Sequence, residues 1–309
     1  MSETTNTANT ENPTHSATVA LYGLGNMGYP LAQLLSQRFD LRVSDPNAAQ
    51  VLRACEELGA KPLDPTQDLG HIKTVVLCLP DPAISRQIVQ AIAPNLAPGA
   101  VIVETSTVNP DDIHACLGIA QQHGVDLIDA SIMAGVAQMA AGQGTLAVGG
   151  SQAAIQCAGP VLEAISAKQI FFGAPGTGAA AKVINNAVAH AVMVVVAEAG
   201  SMATAAGVSI DKLIGLLSDS KMGLHRPLTY RYAERIVNGD YEGGMPLDAA
   251  RKDSVLALQL AQKLGVPLFA TLSSHAVYEM AAAAGYGRED YAAIAKLWAD
   301  WGKPTVPDA

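Results

Sequence analysis

The sequence predicts an α/β protein, with an N-terminal doubly wound domain followed by an all-α C-terminal domain, and three observations carry that expectation. Short continuous apolar runs of strand character alternate with helical patterns as far as residue 174. A glycine-rich turn joins the first of these runs to the first helical pattern. Beyond Gly173-Ala174-Pro175 the strand-like runs cease and helical periodicity alone remains.

A chain of 309 residues, half of them hydrophobic, can bury a sizeable core in one large domain or two ordinary ones. Its net charge of -9 argues against nucleic-acid binding, which needs a basic face. The four cysteines, Cys55, Cys78, Cys116 and Cys157, form no CxxC or Cys/His ligand spacing. They read as reduced thiols of a cytoplasmic protein, and no metal site is expected. Residues 1–16, rich in Thr, Asn and Glu, have neither the basic start nor the apolar run of a secretion signal and are expected to be a disordered tail.

The first strand is expected over 17–22, followed at once by Gly23-Leu24-Gly25-Asn26-Met27-Gly28 and a helix marked by Leu31, Leu34 and Leu35. Strand, glycine turn and helix are the context in which GxGxxG binds a dinucleotide. Gly23 permits the tight turn, Gly25 lets a pyrophosphate approach the backbone, and Gly28 permits close helix packing. The helix N-terminus then offers free N–H groups to the phosphates. A glycine turn that serves packing alone is the alternative. On the first reading, residues 17–174 are a Rossmann domain.

The second strand, 41–43, leads to Asp45, which is placed to hold ribose hydroxyls. Its charge would repel a 2′-phosphate and no arginine directly follows, so NAD is expected over NADP; alternatively Asp45 opens the Asp-Pro-Asn turn. Strands at 74–79 and 100–104 are continuously apolar, as in a parallel sheet covered on both faces. Leu79, Pro80 and Thr107 lie at their carboxyl ends and are expected neighbours of the cofactor. After a strand at 125–129, a loop of small residues over 130–146, including Met133, Ala134 and Gly135, is suited to presenting backbone N–H groups to a substrate carboxylate. A strand at 146–148, a helix at 153–165 and a strand at 169–172 complete the domain.

Residues 175–309 are expected to form a helical domain for substrate binding and dimerisation. Its first helix is reached through the glycine-rich stretch 176–186, which sets Lys182 and Asn186 one turn apart on one face. An ammonium at the mouth of so apolar a helix is costly unless it has a role. Alternatively Lys182 reaches out to water and Asn186 is a satisfied polar group. The apolar run that follows approaches membrane-span length, but Asn185, Asn186, His190, Glu198 and Ser201 interrupt it. It is expected to be an interior or interface helix that packs on its copy in a homodimer or homotetramer, with His190 buried at that interface. Further helices are expected at 211–217, 228–237, 246–264, 268–284 and 291–301. The segment 218–227 carries His225 and Arg226, the latter a candidate for contact with a substrate anion.

Together these residues resemble the β-hydroxyacid dehydrogenase family, which includes 3-hydroxyisobutyrate dehydrogenase and tartronate semialdehyde reductase. The resemblance covers nearly the whole chain after the tail. It is most specific in Gly23 to Pro30, in 176–186 and in Arg251-Lys252-Asp253. It implies hydride transfer between nicotinamide and the hydroxyl carbon of a 3-hydroxy acid or its semialdehyde. Lys182 then matches the catalytic acid/base, Asn186 the residue that hydrogen-bonds substrate, Lys252 a lysine beside the cofactor, and Thr107 a neighbour of its nicotinamide end. The chain departs from the family in one place. Asp129-Ala130-Ser131-Ile132-Met133-Ala134-Gly135 stands where Asp-Ala-Pro-Val-Ser-Gly-Gly is usual, and the following loop is lengthened. A thioether thus replaces a serine donor, which implies a larger or atypical substrate. The competing readings are an imine reductase, in which the lysine position is commonly another residue, and a non-catalytic NAD-binding module, in which that lysine tends to be lost.

Overall fold

The computed structural model describes residues 17–301. The tail expected at 1–16 lies outside the described residues.

Strand β1 (Thr18–Tyr22) leads through the glycine turn into helix α1 (Gly28–Ser36). Then follow β2 (Asp40–Ser44), α2 (Ala48–Leu58), the two-residue β3 (Lys61–Pro62), β4 (Thr74–Leu77), α3 (Pro82–Ile92), β5 (Val101–Glu104) and α4 (Pro110–Gln121). The alternation closes with β6 (Asp126–Ile132), the short α5 (Val136–Ala140), β7 (Thr145–Gly149), α6 (Gln152–Ile165) and β8 (Lys168–Gly173). Among the described residues one sheet contains all eight strands, in the order β3-β2-β1-β4-β5-β6-β7-β8. Pairing is parallel from β3 to β6, antiparallel between β6 and β7, and parallel again between β7 and β8.

Both faces of the sheet are covered, and the strand sequences show why. In β1, Val19 and Leu21 enter a core built with Leu31 and Leu35 of α1 and Leu162 of α6. Ala20 and Tyr22 enter the opposite core, with Val89 of α3 and Ile113 of α4. Alternate side chains point to opposite faces, so a strand apolar at every position needs cover on both sides. The helices start where the sequence supplies caps. The side chain of Asn47 accepts the Ala49 N–H, that of Asp81 accepts the Ala83 N–H ahead of Pro82, and that of Ser151 accepts the Ala154 N–H.

The strand expected to stop at Asp129 continues to Ile132. Ala130, Ser131 and Ile132 pair with Val148, Ala147 and Leu146, so the segment expected as one loop is a strand end, the helix α5 and the start of β7. Cross-strand pairing has overridden the weak strand propensity of small residues. The sheet is likewise not parallel throughout: β7 and β8 run against the rest.

Helix α7 (Thr177–Ala205) is followed by α8 (Ile210–Ser218), a π-helix at Pro227–Ile236, α9 (Leu247–Leu264), α10 (Ala270–Ala283), a 3₁₀ turn at Tyr291–Ile294 and α11 (Ala295–Trp301). The chain divides into two compact units between Ala187 and Val188. The change from mixed to all-helical structure comes earlier, after β8, but the first turns of α7 pack on the sheet. Ala179 is fully buried in the core shared with α3 and α4, and a Cβ on Gly178 would lie 2.4 Å from the Ala147 carbonyl oxygen. In the second unit a smaller core forms around Leu247, Ala281 and Leu297.

Helix α7 is long and apolar enough to cross a membrane by length and composition, yet it is not the interior helix that is one of the two expectations. In the single chain Ile184, Val188 and Met193 are each about 60% exposed, and His190 is exposed with them.

Candidate active site

The strands β2, β1, β4, β5 and β6 are neighbours and run the same way, so the loops at their carboxyl ends line one edge of the sheet, over roughly 20 Å at 4.7–4.9 Å per strand. The chain moves outward from β1 to β2 and β3, then returns to lay β4, β5 and β6 on the other side. A crevice therefore opens between β1 and β4, where ligands of doubly wound sheets bind.

The glycine turn fills one wall of that crevice. Gly23 has φ +95°, and a Cβ there would sit 2.1 Å from the Cys78 carbonyl oxygen; on Gly28 it would sit 2.0 Å from the Gly23 carbonyl oxygen. These two glycines are required by the fold itself. A Cβ on Gly25 would meet nothing within 4 Å, so the space above it is open to a ligand. The start of α1 has no side-chain cap; the Tyr29 N–H is given to the Gly25 carbonyl at 3.0 Å and Pro30 has none, so it is the Gly28 N–H and the turn before it that face an anion. The cleft here has a volume of about 390 Å³ and is lined by Gly23, Gly25, Asn26, Met27, Gly28, Asp45, Leu79 and Pro80, all expected from the sequence, and by Pro46, Cys78 and Ile84, which are not. Leu24 instead turns its side chain into the core and gives its N–H to Asp45.

Asp45 is held by two backbone donors, Leu24 N–H at 2.6 Å on one oxygen and Asn47 N–H at 2.8 Å on the other. A carboxylate offers about four acceptor sites, so room remains for two hydroxyls. It thus both ties the glycine turn to β2 and opens the Asp-Pro-Asn turn. An uncapped helix start, an open glycine and a fixed acid at the end of β2 together fit a dinucleotide.

Thr107 is exposed at the carboxyl end of β5. Behind it lies a buried linkage that sequence reasoning missed. The Ser106 hydroxyl accepts the Leu79 N–H at 2.8 Å, and the Ser106 N–H donates to Glu104 Oε1 at 2.8 Å. The loops after β4 and β5 are thereby joined. Burial pushes the Glu104 carboxyl up, against the opposing pull of its hydrogen bonds from Ser106. The one signal in the sequence is an acid that ends an otherwise apolar strand.

At β6 the edge meets helix α7. Lys182 Nζ donates to the Ile132 carbonyl at 2.7 Å, which brings it beside Met133. The side chain is half-buried, and that burial lowers its pKa below the ordinary lysine value of 10.5. Asn186 follows one turn later, partly exposed. Of the residues expected to face a substrate acid, Met133 and Ala134 are partly buried and Gly135 is exposed, but the Met133 N–H is already given to the Thr145 carbonyl at 2.8 Å. A second missed residue is Asp129. It is fully buried, and its two oxygens accept the Gly176 and Ala179 N–H groups, each at 2.7 Å.

The second unit carries Lys252, exposed on α9 and paired with Asp253 at 3.1 Å, and Arg226, exposed and stacked over the Tyr230 ring at 4.4 Å. Arg251 makes two hydrogen bonds to the Glu279 carboxylate.

The fold and the open glycine turn define a dinucleotide-binding protein of the doubly wound class. Residues 18–173 match the NAD binding domain of 6-phosphogluconate dehydrogenase, and residues 176–298 match the NAD-binding region of NADP-dependent 3-hydroxyisobutyrate dehydrogenase. The chain is 30% identical to 3-sulfolactaldehyde reductase of Escherichia coli K12, over 90% of this chain and 94% of that one. It is 29% identical to 2-(hydroxymethyl)glutarate dehydrogenase of Eubacterium barkeri, over 92% of this chain and 95% of that one. Among solved structures, Mycobacterium tuberculosis 3-hydroxyisobutyrate dehydrogenase with L-serine is 26% identical, with a TM-score of 0.63, over 91% of this chain and 99% of that one. An imine reductase from Pseudomonas sp. superposes with a TM-score of 0.80, over 91% of this chain and 98% of that one, at 24% identity, which speaks to fold alone. The chain belongs to the β-hydroxyacid dehydrogenase family, and is thus an oxidoreductase with NAD(P)-binding domains.

Proposed function

We propose that this is a cytoplasmic NAD-dependent dehydrogenase that interconverts a 3-hydroxy acid and the corresponding semialdehyde, with Lys182 as its acid/base. The observation that carries this reading is the half-buried Lys182 amine held on the Ile132 carbonyl at the sheet's carboxyl edge. In the oxidation direction its neutral form takes the hydroxyl proton, and in reduction its ammonium gives that proton back. A pKa lowered by burial makes both forms accessible nearer neutral pH. Asn186 orients the hydroxyl from the next turn. The bound dinucleotide supplies or receives the hydride.

Gly23 to Gly28, Asp45, Leu79, Pro80 and Thr107 would hold the cofactor, and the family resemblance adds Lys252 to them. NAD is favoured over NADP by the fixed charge of Asp45 and by the engagement of Arg53 on α2, which pairs with Glu57 at 3.0 Å and stacks on Tyr29 at 4.0 Å. Met133, Ala134 and Gly135 would receive the acid end of the substrate. With a thioether at 133 and the Met133 N–H spent on Thr145, this end suits a larger or more apolar acid than hydroxyisobutyrate. The exposed apolar face of α7 would be covered by a second copy of the chain, in a homodimer or homotetramer.

Initial rates over a panel of hydroxy acids, semialdehydes and cyclic imines, with NAD and with NADP, test the reading. Turnover of a 3-hydroxy acid with NAD preferred is the expected result. Preference for NADP would overturn the cofactor assignment, and turnover of imines alone would move the protein to the imine-reductase class.

A further inference from the structure

We infer that Asp129 is a positioning residue for Lys182, its buried carboxylate fixing the first turn of α7 so that the lysine reaches its place; the inference rests on the acid/base role proposed for Lys182. Strand β6 grips α7 at two points. At Asp129 the carboxylate accepts the Gly176 N–H on one oxygen and the Ala179 N–H on the other, both at 2.7 Å. Further along the same strand, the Ile132 carbonyl accepts Lys182 Nζ, again at 2.7 Å. A helix held at one point can still slide or turn. A slip of one residue moves it by about 1.5 Å and turns it by about 100°, which would carry Lys182 off the Ile132 carbonyl altogether. Two contacts on one strand exclude that slip.

The slot around the carboxylate is built for it. A Cβ on Gly149 would come within 2.7 Å of the Ala174 carbonyl oxygen and 2.9 Å of both Asp129 oxygens, and one on Gly178 within 2.4 Å of the Ala147 carbonyl oxygen and 2.9 Å of Oδ2, so glycine at both positions lets backbone and carboxylate close in together. Gly176, at φ +89°, makes the left-handed turn that aims its N–H at Asp129. Burial pushes the Asp129 carboxyl above its usual value, against the opposing pull of the helix N–H groups. Both oxygens accept hydrogen bonds from donors that cannot take a proton back, so the ionised form is the one this slot fits, against the positive end of α7. A plain helix cap would affect stability; a positioning residue must also change what Lys182 does.

The full-length protein carrying Asp129→Asn keeps one acceptor and turns an N–H₂ toward the other helix donor. We expect kcat to fall by about 100-fold, the cost typical of a misplacement near 1 Å, with KM and the NAD dissociation constant close to wild type. In the cofactor-free protein, the rate at which trace acetic anhydride labels Lys182, read by mass spectrometry, should move to that of the exposed Lys252. Asp129→Ser, smaller than the slot, withdraws both carboxylate oxygens from the Gly176 and Ala179 N–H groups and should do the same; it decides the matter if Asp129→Asn does not fold. If either folded variant keeps wild-type kcat or wild-type labelling of Lys182 while Lys182→Ala is inactive, the positioning role is overturned and the acid/base reading stands. Full activity of Lys182→Ala overturns that reading instead.

Discussion

The turns of α7 before Val188 and those after it belong to one helix but do opposite work. Before Val188, Gly178 lies against β7, Ala179 is buried in the sheet's core, and Asp129 and Ile132 of β6 hold the backbone and Lys182. After it, Met193, Val194 and Val195 are exposed, and the largest buried group is polar: Glu198, which accepts the N–H groups of Phe269, Ala270 and Thr271 at the start of α10. In both parts a carboxylate grips the N-terminus of a helix. In the first the grip places the amine proposed above as acid/base; in the second it joins two helices beside an exposed apolar surface. On that proposal, the same device would serve catalysis or assembly according to what else lies on the helix.

That contrast can be broken in four ways. The largest effect is expected from Lys182→Ala, which should lower kcat by about 10²- to 10⁴-fold while NAD binding, measured by calorimetry, is retained. In the wild type, kcat/KM for oxidation should rise with pH through a limb below the ordinary lysine value of 10.5, because only the neutral amine accepts a proton, and that limb should vanish in the variant. Next, Val188→Glu on the exposed face should shift sedimentation toward the monomer and leave the labelling of Lys182 unchanged; an unchanged oligomer would show that this face is not the contact. Glu198→Ala should cost about 1–3 kcal/mol by leaving helix N–H groups unpaired. Burial pushes the Glu198 carboxyl up, but its hydrogen bonds from Thr271, Ala270 and Phe269 outweigh this and hold it below the usual carboxylate range. Its stabilisation is therefore full above that range and lost as pH falls through the lowered value, so the difference in melting temperature should shrink in acid. Last and smallest, Met133→Ser should improve turnover of simple 3-hydroxy acids; unchanged or lower turnover would count against the role of this loop.

Much of the cofactor cleft was legible because its parts are local. Strand, turn and helix follow one another within 17–36, and Asp45, Leu79 and Pro80 each stand at the end of an apolar run. The alternation of βαβ units, the change to helices and the pairing of Lys182 with an apolar helix could also be read directly. What escaped depends on contacts across the chain. Asp129 and Ala179 are 50 residues apart, and Ser106 and Leu79 are 27 apart, so no pattern in either neighbourhood announces the bond. The extension of β6 through Ala130-Ser131-Ile132 was hidden for the same reason, since β7 and not local propensity makes it a strand. Which of the two expectations for α7 would hold could not be read either, because an apolar helix reads alike whether its own chain or a neighbour covers it.

Gly25 differs from its two companions in the turn in a way that bears on ancestry and on redesign. Gly23 and Gly28 have no room for a methyl group, whereas Gly25 has open space above it. Selection for folding alone would hold the first two and release the third. Its hydrogen side chain is the imprint of something that the polypeptide does not contain, and a library varied at these three positions would separate into two populations when sorted first for soluble expression and then for dinucleotide retention.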